Sequence, residues 1–451
     1  VKGAERHEGQ GEGGEADDED AQLGSAADQP EGGDERGQGE PELSEHAGVG
    51  ARQEEFAHVT PTPGGPATIP RHPAAARGAT DPVGMAPVRR RRTASVRGAM
   101  RALRKTAPGP GFEMEEVPVP AVAPDEVLVE VRATSICGTD LHILRWDPWA
   151  ARHVVAPVTV GHELTGVVVE RGAEVEEPEI GRLVSVESHV VCNRCSWCRT
   201  GQGHLCPNTR ILGVHRDGAF AEYVAVPAQN AWCDPPEMPY SIASLQENFG
   251  NAVHTVTTPR VSGRKVLITG AGPVGLMAVG AAKALGARSV FVTDVSAYRL
   301  DLARVMGADL ALDAGRVDVE AIVREETGGG GVDVLCEMSG APAAIETGFR
   351  LLKPGGEAAL LGLTSRRIVF DLDDHVVFKG ATVHGIVGRR LWQTWFEMRG
   401  LMRAGAVDLA PLVTHRFALD DWEKAFALME SGQCGKVVLF PDASHADGPL
   451  G

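Results

Sequence analysis

The chain has 451 residues, of which 43% are hydrophobic and only 5% aromatic, and its net charge is −17. That length leaves room for two or three domains. The negative balance argues against a nucleic-acid partner, since binding phosphates takes clustered cations, and no apolar run reaches membrane-spanning length.

Residues 1–99 differ from all that follows. As far as Val59 they are rich in Glu, Asp, Gly, Gln and Ala, with Phe56 the one aromatic. Such a stretch cannot bury enough apolar surface to offset the entropy of ordering, so a disordered N-terminal extension is expected. A Pro-, Ala- and Arg-rich stretch then ends in Arg89-Arg90-Arg91-Arg92. It reads as a solvated linker or as a tail for an anionic partner. Residues 100–105 read as the first strand of an enzyme, so residues 1–99 also admit the reading of an over-extended frame.

Beyond Met100 the pattern is globular. Residues 126–133 alternate apolar and polar through Val127, Val129 and Val131, the pattern of a half-buried strand, and 164–170 and 183–187 are alike. Short strands punctuated by Gly and Pro predict an antiparallel β domain. Three clusters of metal-ligating residues fall in it. Cys137-Gly138-Thr139-Asp140-Leu141-His142 comes first, then Gly161-His162-Glu163, then Cys192, Cys195, Cys198 and Cys206. The last, C-x2-C-x2-C-x7-C, puts four thiolates on one loop, which suits a closed tetrahedral zinc; alone it is also compatible with a zinc ribbon.

The first two clusters can build an open site. A catalytic zinc needs three protein ligands and a free position. Cys137 and His162 are two candidates. No cysteine stands near Gln246-Glu247-Asn248, so the third falls to an acid, with Glu163 and Glu247 both available. A zinc there acts as a Lewis acid on a substrate hydroxyl. Thr139 can take the proton released, and His142 is the exit base, an imidazole being suited to proton exchange near neutral pH.

From residue 264 the texture changes. Strands are expected at 265–269, 289–293, 332–336 and 357–361, with helices at 275–285 and 298–306 between them, the alternation of a doubly wound parallel sheet. Gly270-Ala271-Gly272-Pro273-Val274-Gly275 follows the first strand and opens the first helix, and Asp294 ends the second strand. The glycines allow a tight turn and close approach of a pyrophosphate to the helix N-terminus. Asp294 would accept from ribose hydroxyls and repel a 2′-phosphate, which favours NAD; Arg299 could instead accept that phosphate. Residues 391–403 read as helical, and 415–417 and 436–439 as strands returning to the first domain. All eight cysteines lie beyond residue 136, and five fall in metal-ligand contexts, so a reducing compartment, the cytoplasm, is expected. Cys233, Cys336 and Cys434 read as buried free thiols. Two zincs and a nicotinamide cofactor together point to an alcohol dehydrogenase.

The stretch 100–440 resembles the L-threonine 3-dehydrogenases of the zinc-dependent medium-chain dehydrogenase/reductase superfamily. The resemblance rests on the 137–142 motif, Trp146-Asp147-Pro148-Trp149, residues 248–255, 294–300 and 337–342, and Thr414-His415-Arg416-Phe417. It implies a GroES-like catalytic domain at 100–250 holding both zincs, an NAD-binding Rossmann domain at 251–388, a return to the catalytic domain at 389–441, and a tail at 442–451. It implies Cys137, His162 and Glu163 as catalytic-zinc ligands, and Glu247 as an acid that supports proton transfer or transient ligation. Thr139 and His142 then form the proton relay, and His189 influences substrate selection. NAD contacts are expected from Gly270, Gly272, Val274, Gly275, Asp294, Arg299, Leu361-Gly362-Leu363 and Ile386-Val387. The implied reaction oxidises the C3 hydroxyl of L-threonine to 2-amino-3-oxobutanoate, which a CoA-dependent ligase would consume. A homotetramer is expected. Two other readings remain: a polyol or secondary-alcohol dehydrogenase on the same scaffold, and a non-catalytic zinc-stabilised binding protein.

Overall fold

The computed structural model describes residues 96–364 and 366–451, so the reading of an acidic extension lies outside the described residues apart from its last few positions. Strand β1 (Ala99–Lys105) opens the fold where the sequence predicted it. The alternating stretch forms β2 (Glu126–Ser135), with Val127, Val129 and Val131 buried. Leu128 is buried as well, so at that point the strand is covered on both faces. That sheet runs β6-β4-β3-β2-β14-β13, with β5 also paired to β2. Its members are β3 (Glu163–Arg171), β4 (Leu183–Val186), β5 (Tyr223–Pro227), β6 (Ala231–Cys233), β13 (Val413–Ala418) and β14 (Lys436–Phe440). The last two strands thus join the first sheet after the chain has built the second.

The second sheet is parallel throughout, in the order β9-β8-β7-β10-β11-β12. It comprises β7 (Lys265–Thr269), β8 (Ser289–Asp294), β9 (Leu310–Asp313), β10 (Val332–Glu337), β11 (Leu352–Leu360) and β12 (Thr382–Gly385). Val266, Leu267 and Ile268 are all fully buried, as a strand covered on both faces must be. The order reverses between β7 and β10, which opens a crevice at the carboxyl ends of the strands. The expected 275–285 helix spans Pro273–Ala284.

Three boundaries differ from expectation. Helix Gln246–Thr257 runs across the 250/251 division, and its Phe249, Ala252 and Val253 share one core with Leu276 and Val279 of the following domain. Strand β11 starts at Leu352 and not at Glu357, since Leu352 already pairs with Val332 of β10; the register then shifts, and residues 353–356 are passed over before Glu357 pairs with Val334. The helix expected from Leu391 begins at Gln393. Leu391 and Trp392 instead pack against the four-cysteine loop. Among the described residues no helix is long and apolar enough to cross a membrane.

Candidate active site and metal centres

Strand register builds the open cluster. In the antiparallel β2–β3 pair, Ser135 stands opposite Glu163. Cys137 follows just beyond Ser135 as N-cap of helix α1 (Gly138–Arg145), and His162 just precedes Glu163. Gly161 makes the turn before them at φ +88°, where a Cβ would fall 2.3 Å from the Phe220 ring. Ligand atoms of Cys137, His162 and Glu163 lie within 4.8 Å of one another.

The atoms left over at this cluster fit a cation. Glu163 is fully buried; its Oε2 accepts from Ser135 Oγ and from the Lys436 ammonium, while Oε1 has no partner. Lys436 is itself buried at the start of β14 and also donates to Ile136 O at 3.0 Å. His162 Nδ1 and Asp140 Oδ1 face each other at 3.5 Å, and neither makes a hydrogen bond. Asp140 is held in place by Cys137 N–H at 2.8 Å. Burial would lower the His162 pKa, but Asp140 and Cys137 outweigh it and hold the imidazole well above its ordinary value. The pocket therefore favours positive charge. A zinc ion meets that demand with Cys, His and carboxylate donors, and Asp140 is the kind of carboxylate that orients a ligand imidazole from behind. Asp140 and Lys436 were not singled out from sequence. A lysine opening the otherwise apolar run at 436–440 was the available signal.

Thr139 Oγ1 lies 3.8 Å from Cys137 Sγ. His142, one helical turn on, is half exposed, with Nδ1 2.5 Å from Asp147 Oδ2.

Glu247 and His189 belong to a different group. Arg389, 1% exposed, pairs with Glu187, approaches Glu247 Oε1 at 2.8 Å and meets His189 Nδ1 at 2.6 Å. Ser188 Oγ donates to Glu247 at 2.6 Å and Trp395 Nε1 to Glu187 at 2.6 Å. The guanidinium reaches in past Gly250, where a Cβ would stand 2.4 Å from Arg389 Cδ. Burial raises the Glu187 carboxyl, but Arg389 and then His189 override it and hold it well below the usual carboxylate range. Glu187, His189 and Glu247 have metal-ligating atoms within 4.8 Å, yet Arg389 already supplies the positive charge there. Arg389 and Glu187 were missed from sequence, because nothing local marks a charge as buried.

The four-cysteine loop is closed. Cys195 and Cys198 Sγ are 3.5 Å apart, as are Cys192 and Cys206, and all four thiols are free. Backbone N–H groups of Arg194 and Cys195 hold the Cys192 thiol down at about 6, while burial and then Cys195 push Cys198 up to about 12. Four thiols this close cannot all ionise without a cation, so the donor set fits a structural zinc. Cys336 and Cys434 are buried and Cys233 partly so, as free thiols.

The glycine loop divides its labour. Gly270 has φ +93°, and a Cβ on Gly275 would fall 2.0 Å from Gly270 O. Gly272, N-cap of the Pro273–Ala284 helix, faces open space, as close approach by a ligand requires. Val274 follows on that helix's first turn. Asp294 accepts from Ala271 N at 2.7 Å and Ser296 N at 2.8 Å, tying the strand end to the loop. Arg299 lies in the first turn of helix Ala297–Val305, whose N-cap Ser296 follows Asp294 by two residues, and its Nη2 lies 4.0 Å from where a Gly432 Cβ would stand. Gly362 comes so near Gly340 that a Cβ would fall 2.2 Å from its nitrogen. It stands with Leu361 and Leu363 past the end of β11, and Ile386 and Val387 stand past the end of β12, all on the crevice side. Leu363 and Val387 are exposed.

Residues 123–236 match the Alcohol dehydrogenase GroES-like domain family and residues 273–404 the Zinc-binding dehydrogenase family. The chain is 51% identical over 344 residues to the L-threonine 3-dehydrogenase of Symbiobacterium thermophilum, covering 76% of this chain and 98% of that protein. A zinc-binding dehydrogenase from Sinorhizobium meliloti 1021 bound to NADP is similar in structure, at 30% identity and TM-score 0.70, over 76% of this chain and 100% of that one. So is a short chain alcohol dehydrogenase from Escherichia coli CFT073 complexed with NADH, at 28% identity and TM-score 0.70, over 76% and 99%. The chain belongs to the L-threonine 3-dehydrogenase family of zinc-dependent medium-chain dehydrogenases/reductases.

Proposed function

We propose that this protein oxidises the C3 hydroxyl of L-threonine to 2-amino-3-oxobutanoate with NAD as hydride acceptor. The observation that carries the chemistry is the cluster of Cys137, His162 and Glu163, with the unpartnered Glu163 Oε1 among its donor atoms. The choice of threonine is supported by the identity to a named L-threonine 3-dehydrogenase over nearly its whole length. When bound, the zinc and the nicotinamide would supply a Lewis acid and a hydride acceptor.

The chain's own residues do the rest. Cys137, His162 and Glu163 hold the catalytic metal, and the four-cysteine loop holds a structural one. The Thr139 hydroxyl takes the proton leaving the C3 hydroxyl, and His142, half exposed, passes it to water. His189, whose Nδ1 faces the Arg389 and Glu187 pair, offers its other ring nitrogen to the substrate. Glu247 is held by Arg389 and Ser188 beside it and supports proton transfer. Gly270, Gly272, Val274 and Gly275 receive the pyrophosphate, Asp294 the adenosine ribose, and residues 361–363 and 386–387 the nicotinamide half. NAD is preferred to NADP because the Asp294 carboxylate repels a 2′-phosphate, with Arg299 as a further contact on the adenosine side. Exposed apolar residues on edge strand β12 and in the segment leading to it, namely Val369, Leu372, Phe378 and Val383, support self-association, with a homotetramer as the assembly.

The test is NADH formation by zinc-loaded protein with L-threonine and, separately, with sorbitol. Turnover of sorbitol in preference to threonine would overturn the substrate, and no NADH from either would overturn catalysis.

A further inference from the structure

His142 is the last protein group in the proton path proposed above, and the structure surrounds it with one unusually direct partner. Its Nδ1 stands 2.5 Å from Asp147 Oδ2. The other carboxylate oxygen, Oδ1, accepts from Trp149 N at 2.9 Å and Ala150 N at 3.0 Å, where helix Ala150–His153 begins. Asp147 N–H in turn donates to His142 O at 3.2 Å, across a turn in which Trp146 takes the left-handed conformation at φ 52°. The carboxylate is therefore fixed by two backbone N–H groups that follow it in the chain, and the main chain of Asp147 is tied to the end of the helix that carries His142.

We propose that Asp147 is a positioning residue for the proton relay, holding His142 in the tautomer and orientation in which Nδ1 carries the proton and Nε2 receives the one released by substrate. The inference rests on the relay reading of His142. An ionised carboxylate can only accept, so Nδ1 must be the donor and the lone pair must lie on Nε2. Burial would raise the Asp147 carboxyl, but the Ala150 N–H, the His142 ring and the Trp149 N–H together hold it below its usual value. Other charged groups nearby are already engaged. His153 stacks on the Trp149 ring, Arg145 turns to Glu430 of helix Trp422–Ser431, and Asp140 faces Cys137 N–H and His162. On this chain only Asp147 makes a hydrogen bond to the His142 ring among the described residues.

A purely structural role, capping the helix at Ala150, would predict something different. Asparagine caps nearly as well as aspartate, because its Oδ1 also accepts backbone N–H. Facing an imidazole, however, its amide can donate to Nδ1 and reverse the tautomer. The experiment is turnover against pH for the zinc-loaded wild type, Asp147→Asn, Asp147→Ala, His142→Ala and His142→Ala/Asp147→Asn, with zinc content and Tm measured alongside. Asp147→Asn should keep its zinc and Tm. Its kcat should fall about 10- to 100-fold near neutral pH, less than the roughly 10²- to 10⁴-fold of losing the base itself. KM for threonine and NAD should hardly move, the deficit should shrink as pH rises and hydroxide substitutes for the relay, and the double variant should be no slower than His142→Ala. Asp147→Asn at the wild-type rate, beside a slow His142→Ala, overturns the role of Asp147 and leaves the relay standing. Losses that add in the double variant overturn it too. A fully active His142→Ala overturns the relay and the inference together.

Discussion

The two groups of metal-ligating side chains are built in opposite ways. Cys192, Cys195, Cys198 and Cys206 come from one loop, and their sulfurs meet because the chain between them is short. Cys137, His162 and Glu163 come from the facing ends of two strands, and meet only because Ser135 pairs with Glu163. The first group is all thiol. The second leaves Glu163 Oε1, His162 Nδ1 and Asp140 Oδ1 unpartnered, with a buried lysine behind. A closed site of identical donors suits stability, and an open site of mixed donors with fixed partners suits chemistry. The two are joined by one segment. Leu391 and Trp392 pack on the cysteine loop, while Arg389, just before them, enters the cluster of Glu187, His189 and Glu247.

The sharpest way to break that contrast is a serine in each site. Cys137→Ser should lose one zinc per chain and cut turnover by more than the roughly 10- to 100-fold typical of losing a partner behind a ligand, with little change in Tm. Cys195→Ser should lose the other zinc and lower Tm, while turnover per folded molecule stays near that of the unsubstituted protein. Metal analysis beside thermal unfolding and kinetics reads both, and a Cys195→Ser protein that stays fully stable but inactive would erase the distinction.

The joining segment comes next in size. Arg389→Met removes the cation from two buried carboxylates, Glu187 and Glu247. It should destabilise the fold by about 3–5 kcal/mol in urea unfolding. A loss within experimental error would mean that the pair is solvated and that Arg389 does not tie the regions together.

The smallest expected effect sharpens the comparison by pH. His254 donates through Nδ1 to Gly388 O at 2.8 Å, at the head of the joining segment, and its ring meets His204 of the cysteine lobe edge-on. Burial pushes this imidazole down to about 4, with Arg390 and His204 adding to the effect against the bond to Gly388. The unfolded value is about 6.5, so the unfolded chain binds more protons between those limits. The contribution is complete above about 6.5 and is lost as pH falls towards 4, up to about 3 kcal/mol in all. His254→Asn should flatten Tm against pH in that window; an unchanged slope would assign the acid sensitivity to other groups.

Legibility in the sequence followed the range of the interaction. The strands at 126–133 and 265–269 showed in their apolar patterns because burial on one face or two is a local property. The helix 246–257 did not, since the tertiary core buries ten of its residues, Gln246, Glu247 and Asn248 among them. The donors Cys137, His162 and Glu163 were named from their motifs. Asp140, Lys436 and Arg389 were not, because each matters through a partner distant in sequence or unsuspected in geometry.

By itself the sequence determined what short spacing can determine. Four cysteines on one loop, three glycines between a strand and a helix, and an acid at the end of the next strand need only local chain geometry to be placed. What surrounds Glu163 and Glu247 is a matter of tertiary structure. Glu163 falls beside Cys137 through the register of two antiparallel strands, whereas Glu247 falls beside Arg389, which the chain brings back after completing a whole parallel sheet. Charges buried at that range find their partners only when the fold closes, since an unpaired charge in the interior costs more than local structure can offset.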